Sequence, residues 1–116
     1  MPIALPLFVS LGLLTTMSCL SIGLAVALPP GTQLPIHFDF SATPSAYASA
    51  VYALSALPVA GIVALVVFSI GPRVDKRIER SPALYLAIWL GTMLVLALAH
   101  GMIIRGALFA LKAAAA

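Results

Sequence analysis

Charge is absent from three long stretches of this chain: Pro2 to Phe38, Phe40 to Pro72 and Ser81 to Ile104. Apart from Asp39, Arg105 and Lys112, every acidic or basic residue lies in the eight-residue cluster Arg73 to Arg80. A helix crosses bilayer hydrocarbon with about 20 apolar residues, and an ionised side chain there costs at least a few kcal/mol. The pattern therefore predicts an all-α fold, a transmembrane bundle of three helices forming a single integral membrane domain over residues 1–116. The helices are expected at about 5–28, 47–70 and 82–108, joined by an outer loop at 29–46 and a basic loop at 71–81.

Proline and glycine punctuate these runs. Pro2 and Pro6 suit a helix start, and Pro29-Pro30-Gly31 ends the first run. Gly71-Pro72 is expected to stop the second, and Pro58 inside it predicts a kink near Leu54. Ser81-Pro82 reads as an N-cap followed by proline at the first helical position. Ala25-Val26-Ala27 imitates a signal-peptide cleavage site, but no Lys or Arg precedes the apolar stretch, so it reads as a retained helix.

Composition sharpens the picture. The chain is 63% hydrophobic and 8% charged, against about a quarter charged in soluble domains. Its net charge is +3, and four of its six basic residues lie together in one loop, which is a topology signal and not a nucleic-acid footprint. Arg73, Lys76, Arg77 and Arg80 mark that loop as cytoplasmic, which puts the N-terminus inside and the first loop and C-terminus outside. Such a loop anchors topology and attracts anionic lipid headgroups; it also offers a surface to a cytoplasmic partner. The single cysteine, Cys19, has no internal partner for a disulfide.

Small residues recur every four positions, as Ala56, Ala60 and Ala64 on helix two and as Ala83, Ala87 and Gly91 on helix three. Such stripes let helices approach closely in lipid, and these two are expected to meet. Groups able to ionise, coordinate or attack are scarce, and no nucleophile–base pair, metal motif or phosphate loop is present, so no enzymatic activity and no metal are expected. The topology gathers His37, Asp39, His100 and Arg105 toward the outer side. Three uses stand open: a polar network with Asp39 paired to Arg105, a surface for a peptide or protein, or His100 as a haem or chlorophyll-type ligand. For the last, Ala97 and Gly101 would leave room for a flat ring.

Leu28-Pro29-Pro30, then Leu34-Pro35-Ile36-His37-Phe38-Asp39-Phe40-Ser41, then Tyr47 and a new apolar helix, resemble the N-terminal domain of SdpI-type immunity proteins. Gly71-Pro72-Arg73-Val74-Asp75 resembles the family's proline-and-aspartate motif. The likeness spans residues 24–80. The family commonly has Asn at the position of Asp39, Gly at Ala42, Asp at Ser45 and Lys near Ala50, and its full-length members carry a second set of helices. The resemblance implies a bacterial inner-membrane protein whose outer loop, at His37, Phe38 and Asp39, faces a peptide toxin. The alternative is a structural accessory subunit packed against a larger membrane complex, respiratory or photosynthetic. Partners are accordingly membrane lipids and another membrane protein or a peptide, with no nucleic acid.

Overall fold

The computed structural model describes residues 3–38 and 44–115, with the side chains of all of these except 37, 38, 44 and 45. Helix α1 spans Ala4–Ala27, α2 Ala50–Val74 and α3 Pro82–Ala115. Each is long and apolar enough to cross a membrane. The chain is a multi-pass membrane protein built as an all-α bundle. At about 1.5 Å per residue, the 34 residues of α3 account for most of the 55 Å long axis.

The outer loop expected at 29–46 is built around an antiparallel hairpin that extends past it, β1 (Gln33–Phe38) and β2 (Pro44–Ser49). Gly31 makes the entry turn with φ +81°, a conformation that favours glycine. The Thr32 hydroxyl donates to Pro29 O at 2.6 Å across the same turn. Because residues 44–49 pair with β1, α2 begins at Ala50 and not at 47. Ala50 N–H donates to Thr32 O, so by antiparallel alternation Leu34 and Ala48 form a hydrogen-bonded pair while Pro35 and Tyr47 do not. Proline fits Pro35 because the N–H it lacks would point away from the ladder.

Leu34 anchors the hairpin. It is fully buried in a cluster with Leu24 and Leu28 of α1, Ala53 and Leu54 of α2, and Ile103, Ile104 and Ala107 of α3. Burying one leucine side chain is worth about 1.5–3 kcal/mol where water is the alternative, as at a membrane surface. Gly106 lets α3 pass close to β1, since a Cβ there would stand 3.2 Å from Pro35 Cγ. A second cluster toward the far end of the bundle joins Leu14 and Met17 to Trp89 and Met93. Beside it, Phe68 stacks on Trp89 at 5.6 Å between centroids, with Tyr85 edge-on to both.

Two other boundaries differ from expectation. Gly71-Pro72 does not stop α2, which runs one turn further to Val74. The connection to α3 is then a 3₁₀ turn, Lys76–Arg80, capped by Asp75, whose carboxylate accepts from Arg77 N–H at 3.0 Å. At the other end, α3 continues past residue 108 to Ala115. Proline at Pro82 opens α3 as expected.

The two helices at the basic-loop end touch where a side chain on α2 would not fit. A Cβ on Gly71 would collide with the Tyr85 hydroxyl. Replacing Gly71 by Val is expected to destabilise the bundle by about 1–3 kcal/mol, the usual cost of overpacking. Gly91→Val, where an added Cβ meets nothing within 4 Å, should be near neutral. Reversible unfolding in detergent or bicelles measures both.

Candidate functional site

Proline inside a helix removes the N–H that the carbonyl four residues earlier would accept. Helix α2 holds two such prolines, so Pro58 leaves Leu54 O without its intrahelical donor and Pro72 leaves Phe68 O likewise. In hydrocarbon no water is at hand to repair this. Each carbonyl is met by a hydroxyl from a neighbouring helix. Ser21 on α1 donates to Leu54 O at 2.7 Å, and Tyr85 on α3 donates to Phe68 O at 2.6 Å. The small Gly71 side of α2 is what lets the Tyr85 hydroxyl come so near.

His100 completes the first of these contacts. Its Nε2 lies 2.7 Å from Ser21 Oγ, and the residue is only 2% exposed. The one hydroxyl proton of Ser21 is already given to Leu54 O, so toward His100 the Oγ accepts and Nε2 carries the hydrogen. All three helices thus meet in a relay running from His100 Nε2–H to Ser21 Oγ–H to Leu54 O. A further bond joins α1 and α3 three turns away, Trp89 Nε1–H to Ser10 Oγ at 2.8 Å. Ser10 and Ser21 lie eleven residues apart, as do Trp89 and His100, so these two parallel helices hold one register along their length.

His100 is therefore not part of an outer polar cluster with Arg105 as expected. One residue per 100° puts it on the inward face of α3, whereas Arg105 is exposed and lies 5.1 Å from the Phe109 ring centroid. The proposed partner Asp39 lies outside the described residues. His37 and Phe38 belong to β1, and their side chains lie outside the described set. Nε2 of His100 is engaged by Ser21, and Gly101, offered as clearance for a flat ring, is on the exposed face of α3.

The small-residue stripes do not meet. Ala83, Ala87 and Gly91 are exposed, as is Ala60, while Ala56 and Ala64 are half-buried. The α2–α3 contact instead sets large residues of α3 against small ones of α2. Gly71 leaves room for Tyr85 of α3, while Gly61 leaves room for Leu14 of α1, with Met93 of α3 at ordinary contact distance. Bulky rings with polar tips dominate because they reach across to the freed carbonyl and to Ser10.

At the other end, the basic loop is exposed and partly neutralised from within. Arg77 donates to both Asp75 oxygens, from Nε at 3.0 Å and from Nη2 at 2.9 Å, which lowers the Asp75 pKa below the ordinary carboxylate value and raises that of Arg77. Lys76 pairs with Glu79 at 3.6 Å. Arg73 and Arg80 are exposed beside them. Among the described residues no group of three His, Cys, Asp or Glu side chains is placed to hold a metal ion.

Beneath the hairpin runs an apolar groove of about 320 Å³ between α2 and α3, lined by Ile36, Tyr52, Ala56, Leu57, Ala99, Met102 and Ile103. It lies at the hairpin end of the bundle, with β1 as its lid. Sequence reasoning missed it because a hairpin, and not a loop, is needed to form that wall. No family model matches the chain, and neither a curated protein nor a solved structure matches it.

The relay sets one directly observable state for His100. Nitrogen-15 spectra of the protein in bilayers at neutral pH should show Nε2 protonated and Nδ1 bare, and Ser21→Ala should shift the Nε2 resonance. A proton resting on Nδ1 alone would contradict the donor order of the relay.

Proposed function

We propose that this chain is a non-enzymatic protein of the bacterial inner membrane, N-terminus inside, that binds a peptide or protein arriving at its outward-facing hairpin. The reading follows the resemblance to SdpI-type immunity proteins, whose outer loop faces a toxic peptide. One observation carries it: the groove under β1 is apolar, open and bounded by the hairpin that holds His37 and Phe38 in an ordered strand. A peptide that partitions to the membrane surface has apolar side chains to place there, and the strand beside the groove offers polar backbone for its main chain. The relay below, together with Leu34, holds this end of the bundle in one arrangement, so recognition needs little reordering.

An accessory-subunit role rests on a different face. Ala83, Ala87 and Gly91 leave an exposed small-residue stripe on α3, continuous with a shallow groove lined by Ile88, Gly91, Thr92, Val95 and Leu96. A helix of a larger complex fits such a surface.

Filling each face separates the two readings. Cells that depend on the protein for survival under a membrane-active peptide challenge should lose protection with Ala56→Leu or Ala99→Leu, at unchanged membrane levels. Ala87→Leu and Gly91→Leu should leave protection intact. The reverse pattern, with stripe variants releasing the protein from a co-purifying complex and groove variants silent, would replace the recognition reading by the accessory one.

A further inference from the structure

A second groove, of about 300 Å³, runs between α1 and α2 and shares no lining residue with the one under β1. Ser18, Ser21, Ile22 and Ala25 form one wall, at the spacing of a single face of α1. Val51, Leu54, Ser55, Pro58, Val59 and Ile62 form the other in the same way on α2. The groove is therefore straight and lies along both helix axes. Ser21, Leu54 and Pro58 are its buried floor, while Ile22, Val51, Val59 and Ile62, each more than half exposed, are its rims.

Its place along the bundle is as definite as its direction. One end is at the hairpin, where Ala25 stands two residues before the end of α1 and Val51 is the second residue of α2. The other end is at Ser18 and Ile62, nine residues before Ala27 and twelve beyond Ala50. At 1.5 Å per residue that is a depth of about 14 to 18 Å, against about 15 Å for half the hydrocarbon thickness of a bilayer. The groove thus spans one leaflet, from its surface to the middle of the membrane, and opens sideways toward lipid.

Chemistry narrows the occupant. The walls are almost wholly apolar, and the hydroxyls of Ser21 and Ser55 are given to Leu54 O and Tyr52 O. Water, which needs about two to four polar partners, finds little to hold it. An extended peptide would leave its backbone groups unmet in hydrocarbon. A helix, about 10 Å across, is too wide to enter a furrow between two helices already joined at 2.7 Å through Ser21 and Leu54. A linear hydrocarbon chain is narrow, has no polar group to satisfy, and is what the leaflet supplies. The volume is twice that of an apolar cavity of about 150 Å³, which holds benzene.

We infer that this groove is a lipid site, seating one acyl chain of a phospholipid from the leaflet on the hairpin side. The seated chain covers Ser21 and Leu54, so it also keeps water from the bond between them. The site is separate from the peptide recognition proposed above and does not depend on it.

The test uses the unaltered chain in nanodiscs made with a phospholipid that carries a photoreactive diazirine near the end of one acyl chain, with adducts mapped by mass spectrometry. Leu98 on α3 is the reference. It is 64% exposed against 57% for Val59, and the pairing of His100 with Ser21 sets it level with Cys19, at matching depth. Val59 and Ile62 should carry several-fold more adduct than Leu98. Equal labelling would show ordinary bilayer contact and overturn the inference. Ala25→Leu and Ser55→Leu fill the groove from opposite walls, and each should bring Val59 and Ile62 down to the level of Leu98 while Leu98 itself is unchanged. An excess that survives a filled groove would overturn the inference as well. The first comparison needs no substitution, so poor folding of a variant cannot stand in for either result.

Discussion

A carbonyl without its helical donor, buried in hydrocarbon, is the constraint around which this bundle is organised. Pro58 creates it at Leu54 and Pro72 repeats it at Phe68, fourteen residues along the same helix. Leaving such a group unmet costs several kcal/mol in lipid. Supplying the donor from another helix converts a local defect into a tertiary bond at a fixed height. Because there is no hydrophobic drive between helices inside a bilayer, a few directional bonds of this kind decide which faces meet and in what register.

The consequences extend to both ends. Ser21 must stand opposite Leu54, which draws α1 onto α2, and His100 must stand opposite Ser21, which draws α3 onto α1. One turn further along, Ile103, Ile104 and Ala107 then close around Leu34, and the hairpin is seated. Tyr85 performs the matching task near the basic loop, with Trp89 and Ser10 tying the third side. The groove beneath β1 inherits its walls from these placements.

Much of the architecture is legible in the sequence, and the gaps have physical causes. Charge-free runs and their proline boundaries place three helices because lipid leaves few other options. The hairpin is hidden because Pro35 and Pro44 read as loop residues and no Asn-Gly or Asp-Gly turn announces it. Pro58 is readable as a kink; its further implication, that Leu54 O must find an outside donor, points to the serines of α1. The equal spacing of Ser10 to Ser21 and of Trp89 to His100 is the available signal for the register. The alanine stripes mislead because four-residue spacing recurs freely in an alanine-rich chain, whereas the α2–α3 contact depends on Tyr85 reaching a backbone oxygen past Gly71. His100 stands out in the sequence as unusual, yet its partner is a hydroxyl and not a carboxylate.

The most direct test is a double-mutant cycle between Ser21→Ala and Pro58→Ala, read by reversible unfolding in bicelles. Pro58→Ala restores an N–H to Leu54 O, so the loss of the Ser21 hydroxyl should then cost less than it does in the parent protein. A coupling of about 0.5–2 kcal/mol in that direction is expected. Strict additivity of the two substitutions would show that the freed carbonyl does not hold α1 to α2, and would contradict this account at its centre.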